Sequence, residues 1–507
     1  MYKQIKLTSY CTLLLLCSGC YMNKAIVQPW SADYTPDSQS DYWTPTKRSK
    51  LIKTQVQLDT VVPTENDDLS LAEIINIGLS NNTATQQTWA QAKFAAATYG
   101  QTQSSALPSV KLMYEFFRTR AASYSTAFSA GGSATGADTG TGSGTVSQGV
   151  STGAVFIETF NQWDPQLQLT YTLFDFGKNS AAANAARQAM FFADFMHNRT
   201  IQDVVQILSS DYYDAIYQRQ LLDATQANVI TGMTTLDAAQ VGLTAGTVSI
   251  SDVLQAQTTL FQFQISNVEQ QQNVVMSTSK LLKDMGLPAN LPVNIEMISD
   301  ANPKEEDIPS LENLLVYAMQ SRPDFLAQGA DLRSKELLVK KAQREVLPEF
   351  IYNLDFGKTY FSGGVNDKYD YVSYFNLSVP LFSGYYYRNN IKQAQAQRDL
   401  SEANLKDIEL VLVQQVTDAR NFMIVSFNAL GFSKKYLTSA DQQYQVALAE
   451  YKSGVVDVLT VISAQNYLAD ARATYAQSLK NWFESLANLT YALGASTPPS
   501  FIKEELQ

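Results

Sequence analysis

The chain has 507 residues, 37 Lys and Arg against 48 Asp and Glu, and a formal net charge of −11. That balance speaks against nucleic acid, which recruits basic surfaces, and leaves room for a membrane protein with neutral outward strands. A single His rules out a His pair for a metal, and three Cys leave little for a thiolate cluster.

The N-terminus reads as an export signal over residues 1–19. Lys3 and Lys6 make a positive start, Leu13 to Leu16 an apolar core, and Ser18-Gly19-Cys20 a small-residue cleavage site. Cys20 in that position resembles a bacterial lipobox, although Cys17 stands where Leu is usual. Diacylglycerol and palmitate on Cys20 are expected, and no other cofactor. Cys11 and Cys17 leave with the signal, so the mature chain keeps one Cys and has no internal disulfide. Nothing later reaches the ~18 continuous apolar residues a spanning helix needs.

Beyond an N-terminal extension (20–68), one plan occurs twice. A helix-like segment opens at Ser70-Leu71 and runs to Leu107-Pro108, and the same plan reopens at Ser310-Leu311 and reaches Leu347-Pro348, 240 residues on. Further along, Leu173-Phe174, Gly246, Ala256-Gln257 and Gly286 reappear at an offset of 208 as Leu381-Phe382, Gly454, Ala464-Gln465 and Gly494. The 32 missing residues are an extra loop in the first half, between Arg120 and Asn161. The chain is a tandem duplication. Its repeats are expected at 69–288 and 309–494, with a linker at 289–308 and a tail at 495–507.

Each half holds two alternating segments. Val110, Leu112, Tyr114 and Phe116 share one face, then Leu167, Leu169, Tyr171 and Leu173. The second half gives Phe350, Tyr352, Leu354 and Phe356, then Phe375, Leu377, Val379 and Leu381. Alternation over roughly 9–11 residues fits lipid-facing barrel strands and equally a half-buried soluble sheet. Arithmetic favours the barrel only if chains pool their strands. Four strands cannot close a barrel, and open edges are costly in lipid. The loop from about Ala121 to Gly153 is rich in Gly, Ser, Thr and Ala, and its counterpart near Gly363 to Lys368 is short.

After each second strand come long Pro-free helices, one of about 65 residues ending near Gly242, or about 100 Å. From Leu468, the residues Tyr475, Leu479, Trp482, Leu486, Leu489 and Leu493 form a heptad seam. Both long segments break at one motif: Gly246-Thr-Val-Ser-Ile-Ser-Asp252-Val-Leu-Gln-Ala-Gln257 and Gly454-Val-Val-Asp457-Val-Leu-Thr-Val-Ile-Ser-Ala-Gln465. Gly supplies the turn, and Ser or Asp caps the returning helix.

These motifs, with the Leu-Phe-Asp-x-Gly strand exit, resemble the TolC family of outer membrane efflux and secretion ducts from about Leu69 to Gly494. The resemblance implies an α+β membrane protein of duplicated helix–strand–strand–helix halves. Each chain would give four strands to a trimeric twelve-stranded β-barrel that continues into a long antiparallel α-helical barrel. It implies a homotrimer working with a periplasmic adaptor and an inner membrane pump, in contact with outer membrane lipid. The lipobox resembles that of the lipid-anchored branch.

At the tunnel mouth, Ser251-Asp252 matches the family's constriction pair and Tyr451 a gate Tyr. The family's gate Arg falls on Val456, and two Asp-ring positions fall on Thr460 and Ser463. Lys452 and Asp457 stand near enough to substitute. The other reading makes Ser251, Asp252 and Asp457 helix caps. No enzyme is expected: His197 lies in what reads as a helix face, and no Gly-rich phosphate loop is present. Alternatives are a periplasmic coiled-coil adaptor, a structural lipoprotein or a trimeric adhesin. A duplicated four-strand plan in mid-chain fits the duct better.

Overall fold

The computed structural model describes residues 24–31, 33–43, 68–124, 155–298, 301, 303, 309–362 and 369–495. The signal segment with Cys20, the middle of the Gly- and Ser-rich loop, the counterpart loop near Gly363 to Lys368 and the tail beyond Ala495 lie outside these residues.

The duplication is exact to the residue in its helices. After a short α1 (Lys24–Val27), helix α2 spans Leu71–Asn81 and α3 Thr83–Ser104. Helix α4 spans Lys178–Thr244 and α5 Ile250–Asp284. The second half gives α6 (Leu311–Ser321), α7 (Pro323–Arg344), α8 (Tyr386–Lys452) and α9 (Val458–Ala492). Lengths of 11, 22, 67 and 35 residues recur in that order. At 1.5 Å per residue, α4 and α8 are each about 100 Å long.

The expected single segment from Ser70 to Leu107 is two helices in both halves. Asn82 and Arg322 take extended backbone conformations at the break. Pro323 accounts for the second, because it disfavours the helical region for the residue before it. In the first half Thr83 replaces Pro, and the Asn82 side chain caps the new helix by accepting from the Ala84 N–H at 2.7 Å.

Two compact units emerge. The helical unit comprises 1–103, 181–340 and 388–507, and the strand unit 104–180 and 341–387. Within the helical unit, each half builds the same core. In the first, Ile74, Val204, Leu208, Leu281 and Met285 cluster; in the second, their equivalents Leu314, Leu412, Val416, Leu489 and Leu493 do so, with the seam residues Leu479, Trp482 and Leu486. Gly78 lies so close to Leu208 that an added Cβ would collide with its methyl end. The second half has Ala318 and Val416 at these positions, so one methyl group has moved from one helix to the other. Gly78→Ala alone should therefore cost about 1–3 kcal/mol by overpacking. Adding Leu208→Val should recover most of that loss, and additive melting effects in the double variant would refute the exchange.

The extension is strapped onto α3 and α4. The Trp43 backbone N–H donates to Asn198 Oδ1 at 2.8 Å, and the Trp43 carbonyl accepts from Asn198 Nδ2 at 2.7 Å. Its ring lies against Phe191 and Phe195. Trp89 Nε1 donates to the Pro36 carbonyl, and Trp30 Nε1 to that of Lys93. Two-residue strands β1 (Asp68–Leu69) and β4 (Asn294–Ile295) pair in parallel.

In the strand unit, β2 (Ser109–Tyr124), β3 (Val155–Phe174), β5 (Glu349–Gly357) and β7 (Asp370–Ser378) form an antiparallel sheet in that order, and the short β6 (Tyr360–Phe361) also pairs with β3. The first-half strands run to 16 and 20 residues, longer than the 9–11 expected and into the supposed loop, because Ala121 to Tyr124 pair with Val155 to Glu158. The last strand is shorter than expected. It ends at Ser378, so Val379 and Leu381 lie outside it, just where Pro380 lacks the N–H a ladder needs. Register puts the apolar sets on one face: Leu112 opposite Leu167, Leu167 opposite Phe356, and Tyr352 opposite both Tyr171 and Phe375. The other face carries Lys111, Gln168 and Asp355 in one row. Strands β2 and β7 are open edges, and Leu112, Tyr114, Phe375 and Leu377 are each more than 60% exposed.

Candidate functional site

The two hairpin tips repeat one set of backbone hydrogen bonds. Gly246 and Gly454 adopt left-handed backbones, with φ of 74° and 79°. The Gly246 N–H donates to the Leu243 carbonyl and the Thr247 N–H to Gly242; Gly454 and Val455 donate likewise to Tyr451 and Glu450. This double bond closes a helix C-terminus through a glycine that alone takes the turn without strain.

What starts the returning helices differs. At the first tip Ser249 is the N-cap. Its side chain accepts from the Asp252 N–H at 3.3 Å, while Asp252 Oδ2 accepts from the Ser249 N–H at 3.0 Å. This is a capping box, worth about 0.5–2 kcal/mol. At the second tip Asp457 accepts from the Thr460 N–H at 2.9 Å and from its hydroxyl at 2.8 Å. Those bonds, the hydroxyl's first, hold the Asp457 carboxyl below the usual carboxylate range. Lys452 is exposed and makes no ion pair with Asp457; Ser251 is exposed one position ahead of Asp252.

Tyr451 is buried, 6% exposed, and its hydroxyl has no hydrogen-bond partner. Burial, then the nearby Asp252 charge, pushes its pKa upward. Tyr451 of the second hairpin shares one apolar cluster with Val253, the neighbour of Asp252, on the first. In that cluster, Ala239, Val253 and Ala256 of the first hairpin pack with Ala440, Tyr444, Ala447, Val458 and Val461 of the second. Val456 joins this cluster as a partly buried apolar side chain.

Above the tips, α4 and α9 are joined by a polar ladder that no sequence pattern announced. Tyr491 Oη donates to Asp203 at 2.8 Å, Gln206 to Asn488, Ser210 Oγ to Glu484 at 3.1 Å, and Lys480 Nζ to Asp214 at 2.6 Å. The two residue numbers of each rung add to 694, as two antiparallel helices in fixed register require. Nearer the tips, Arg472 Nη1 donates to Asn228 Oδ1 at 2.7 Å, and Tyr444 Oη to the Thr231 carbonyl at 3.4 Å. Desolvation lowers the Arg472 pKa. Arg472 stands about 22 Å up α9 from its Asp457 cap. The only available signal for these links was a charged or polar side chain on an otherwise Ala-rich face.

The described residues contain no group of three or more His, Cys, Asp or Glu that could hold a metal, and no helix long and apolar enough to cross a membrane. Instead the chain joins an amphipathic open sheet to paired long helices. The model of the outer membrane efflux protein family matches residues 74–287 and 314–495. This chain belongs to that family. Among relatives, it is 24% identical over 352 residues to nodulation protein T of Rhizobium leguminosarum bv. trifolii, covering 67% of this chain and 73% of that one. It is 26% identical over 445 residues to protein CyaE of Bordetella pertussis, covering 85% and 86%. Its fold matches the CmeC outer membrane channel of Campylobacter jejuni with a TM-score of 0.70 at 17% identity, over 88% of this chain and 91% of that one. An outer membrane efflux family member of this build is an exit duct, acting in the outer membrane as the outlet of a tripartite efflux or secretion system. Its sheet supplies part of the barrel and its long helices reach into the periplasm.

Proposed function

We propose that this chain is a lipid-anchored, homotrimeric, passive duct. Its periplasmic mouth is held shut by contacts between the two hairpin tips and is opened by a periplasmic adaptor and an inner membrane pump. The observation that carries the reading is the four-stranded sheet with an apolar face and two unpaired edges. In lipid each unpaired backbone group costs several kcal/mol, so the edges must be closed by other chains. Three chains give twelve strands, enough for an aqueous lumen. The two repeats, 69–288 and 309–494, each supply one strand hairpin and one helical hairpin.

Mass measurement in detergent should give three chains per particle, and a stable monomer that still inserts and conducts would contradict the reading. Lipid at Cys20 predicts incorporation of a palmitate analogue that Cys20→Ala abolishes. Equal labelling of both forms would end that part.

In a trimer Asp252 appears three times, a ring of carboxylates that multivalent cations would bind. Asp252→Ala should weaken cation block of the single-channel current. Since Asp252 also completes the capping box, the melting temperature should fall slightly as well. A fall in melting temperature with unchanged block would leave it a cap alone.

A further inference from the structure

The charges of the strand unit are sorted by face. On the face that carries Leu112, Leu167 and Phe356, the described strands hold no Asp or Glu. The acids take the opposite face, with Glu115 opposite Asp164, Asp355 opposite Val372 and Asp370 opposite Gly357. The apolar face has cations only. Arg118 and Arg120 of β2 lie on it, and Lys358 extends β5 by one rung there, its backbone N–H donating to the Pro165 carbonyl.

All three gather at one end. The ends of the sheet at Ser109, Phe174, Glu349 and Ser378 lead to helices, so the end toward Tyr124 and Val155 is the hairpin end. With the helices in the periplasm, that end belongs to the outer leaflet. Just short of the cations the face turns aromatic. Phe116 is opposite Trp163, with their rings 5.5 Å apart, and Trp163 is opposite Tyr360. Such a row across neighbouring strands marks the edge of the apolar band in an outer membrane barrel. Arg118 and Arg120 are the next two positions of β2 on this face, about 7 and 14 Å beyond the row. Lys358 starts one rung below the row, yet its Nζ lies 5.0 Å from the centre of the Tyr360 ring. Its chain thus runs along apolar surface and brings the charge up to the row.

Both Arg are exposed, and the residues opposite them, Asn161 and Thr159, are neutral. The chain as a whole is acidic, at −11, so these cations are not part of a generally basic surface. A guanidinium holds phosphate through two parallel N–H bonds, and two guanidiniums about 7 Å apart can share one phosphate-bearing headgroup.

We propose that Arg118, Arg120 and Lys358 form a site for the phosphate-bearing headgroup of an anionic lipid in the outer leaflet of the outer membrane. The aromatic row sits at the boundary between acyl chains and headgroup, and the guanidiniums take the phosphate. The proposal rests on the apolar face of the sheet meeting lipid, and adds which lipid it selects. All three cations come from one chain, so each chain carries a whole site.

Native mass spectrometry of the full duct in neutral detergent tests it, with diphosphorylated lipid A, its dephosphorylated form and inorganic phosphate as probes. The parent should take up one lipid A per chain. Arg118→Gln with Arg120→Gln should bind it roughly tenfold or more weakly. Removing the phosphates from the lipid should lower the parent's affinity to a similar degree. Lys111→Gln removes a cation from the other face and should bind as the parent does. Equal binding by the parent and the double variant would overturn the proposal, and so would an equal loss in Lys111→Gln. Full competition by equimolar inorganic phosphate would mark a site for a free anion and overturn the lipid. The count is per chain, so a mass other than trimeric would revise the trimer, while the binding comparison still decides this site.

Discussion

Replacing Asp194 by Leu should raise the melting temperature of this duct at pH 8, and raise it far less at pH 5. Asp194 lies on α4 with no exposed surface, and neither carboxyl oxygen has a hydrogen-bond partner. Burial pushes its pKa up to about 9. The folded state therefore holds a proton that the unfolded chain releases near pH 4. Stability from this group is complete below about pH 4 and drains away as pH rises toward 9. An unpartnered buried carboxyl also loses its hydrogen bonds to water, a cost that an apolar side chain of similar size avoids. A gain of roughly 1–4 kcal/mol at pH 8 is the expected scale. His197, one turn on and equally buried, bends the curve the other way. Its Nδ1 meets Thr88 Oγ1 at 2.9 Å, and desolvation lowers its pKa to about 4. Stability from His197 is present above about pH 6.5 and is lost as pH falls toward 4. The two slopes cancel between about pH 4 and 6.5, so the parent should be level there and lose stability above it, whereas Asp194→Leu should level the alkaline side and uncover the His197 slope on the acid side. Thermal unfolding across this range checks it. A Leu variant with the same gain at pH 5 as at pH 8 would show that packing, not charge, sets the effect.

The duplication was fully legible in the sequence because it needs only the chain's own numbering. The equal lengths of the long helices, the tip glycines and the matching core positions follow from it, whereas the breaks at Asn82 and Arg322 do not. The strand faces were legible too from Leu167 to Tyr171, while the register shift that drops Leu173 from the ladder with β5 was not. Where the reading stopped short, the residues are ambiguous by themselves. Asn82 carries no Pro or second Gly to announce a break, and its capping role depends on Ala84 two residues on. Ala121 to Tyr124 look like loop because Ala and Ser lack strand preference, and they are strand only by pairing with β3. The α4·α9 ladder was invisible for a different reason. Asp214 and Lys480 are 266 residues apart, and only the fold brings them together. Asp194 hides among Phe191 and Phe195, where an acid on a helix would ordinarily face water.

Arg472→Ala should open the resting duct. The Arg472 guanidinium joins the second helical hairpin to the first through Asn228, which is only 7% exposed. The equivalent residues in the opposite halves are Gln264 and Tyr436, so the link occurs once per chain. Removing the guanidinium strands the Asn228 carbonyl in a desolvated seam, at about 1–3 kcal/mol to the closed arrangement. In a trimer the loss is taken three times, so if all three links part together the closed state weakens by some 3–9 kcal/mol. Even the lower figure is a factor of more than 100 in the closed-to-open ratio. Single-channel recording in planar bilayers should then show larger resting conductance and longer open dwell. Asn228→Asp gives the opposite sign, since it exchanges a neutral acceptor for a charged one and strengthens the bond to Arg472. Its resting conductance should be no greater than the parent's, and its open dwell shorter. A merely structural role would show otherwise: Arg472→Ala would lower the melting temperature and leave conductance where it was.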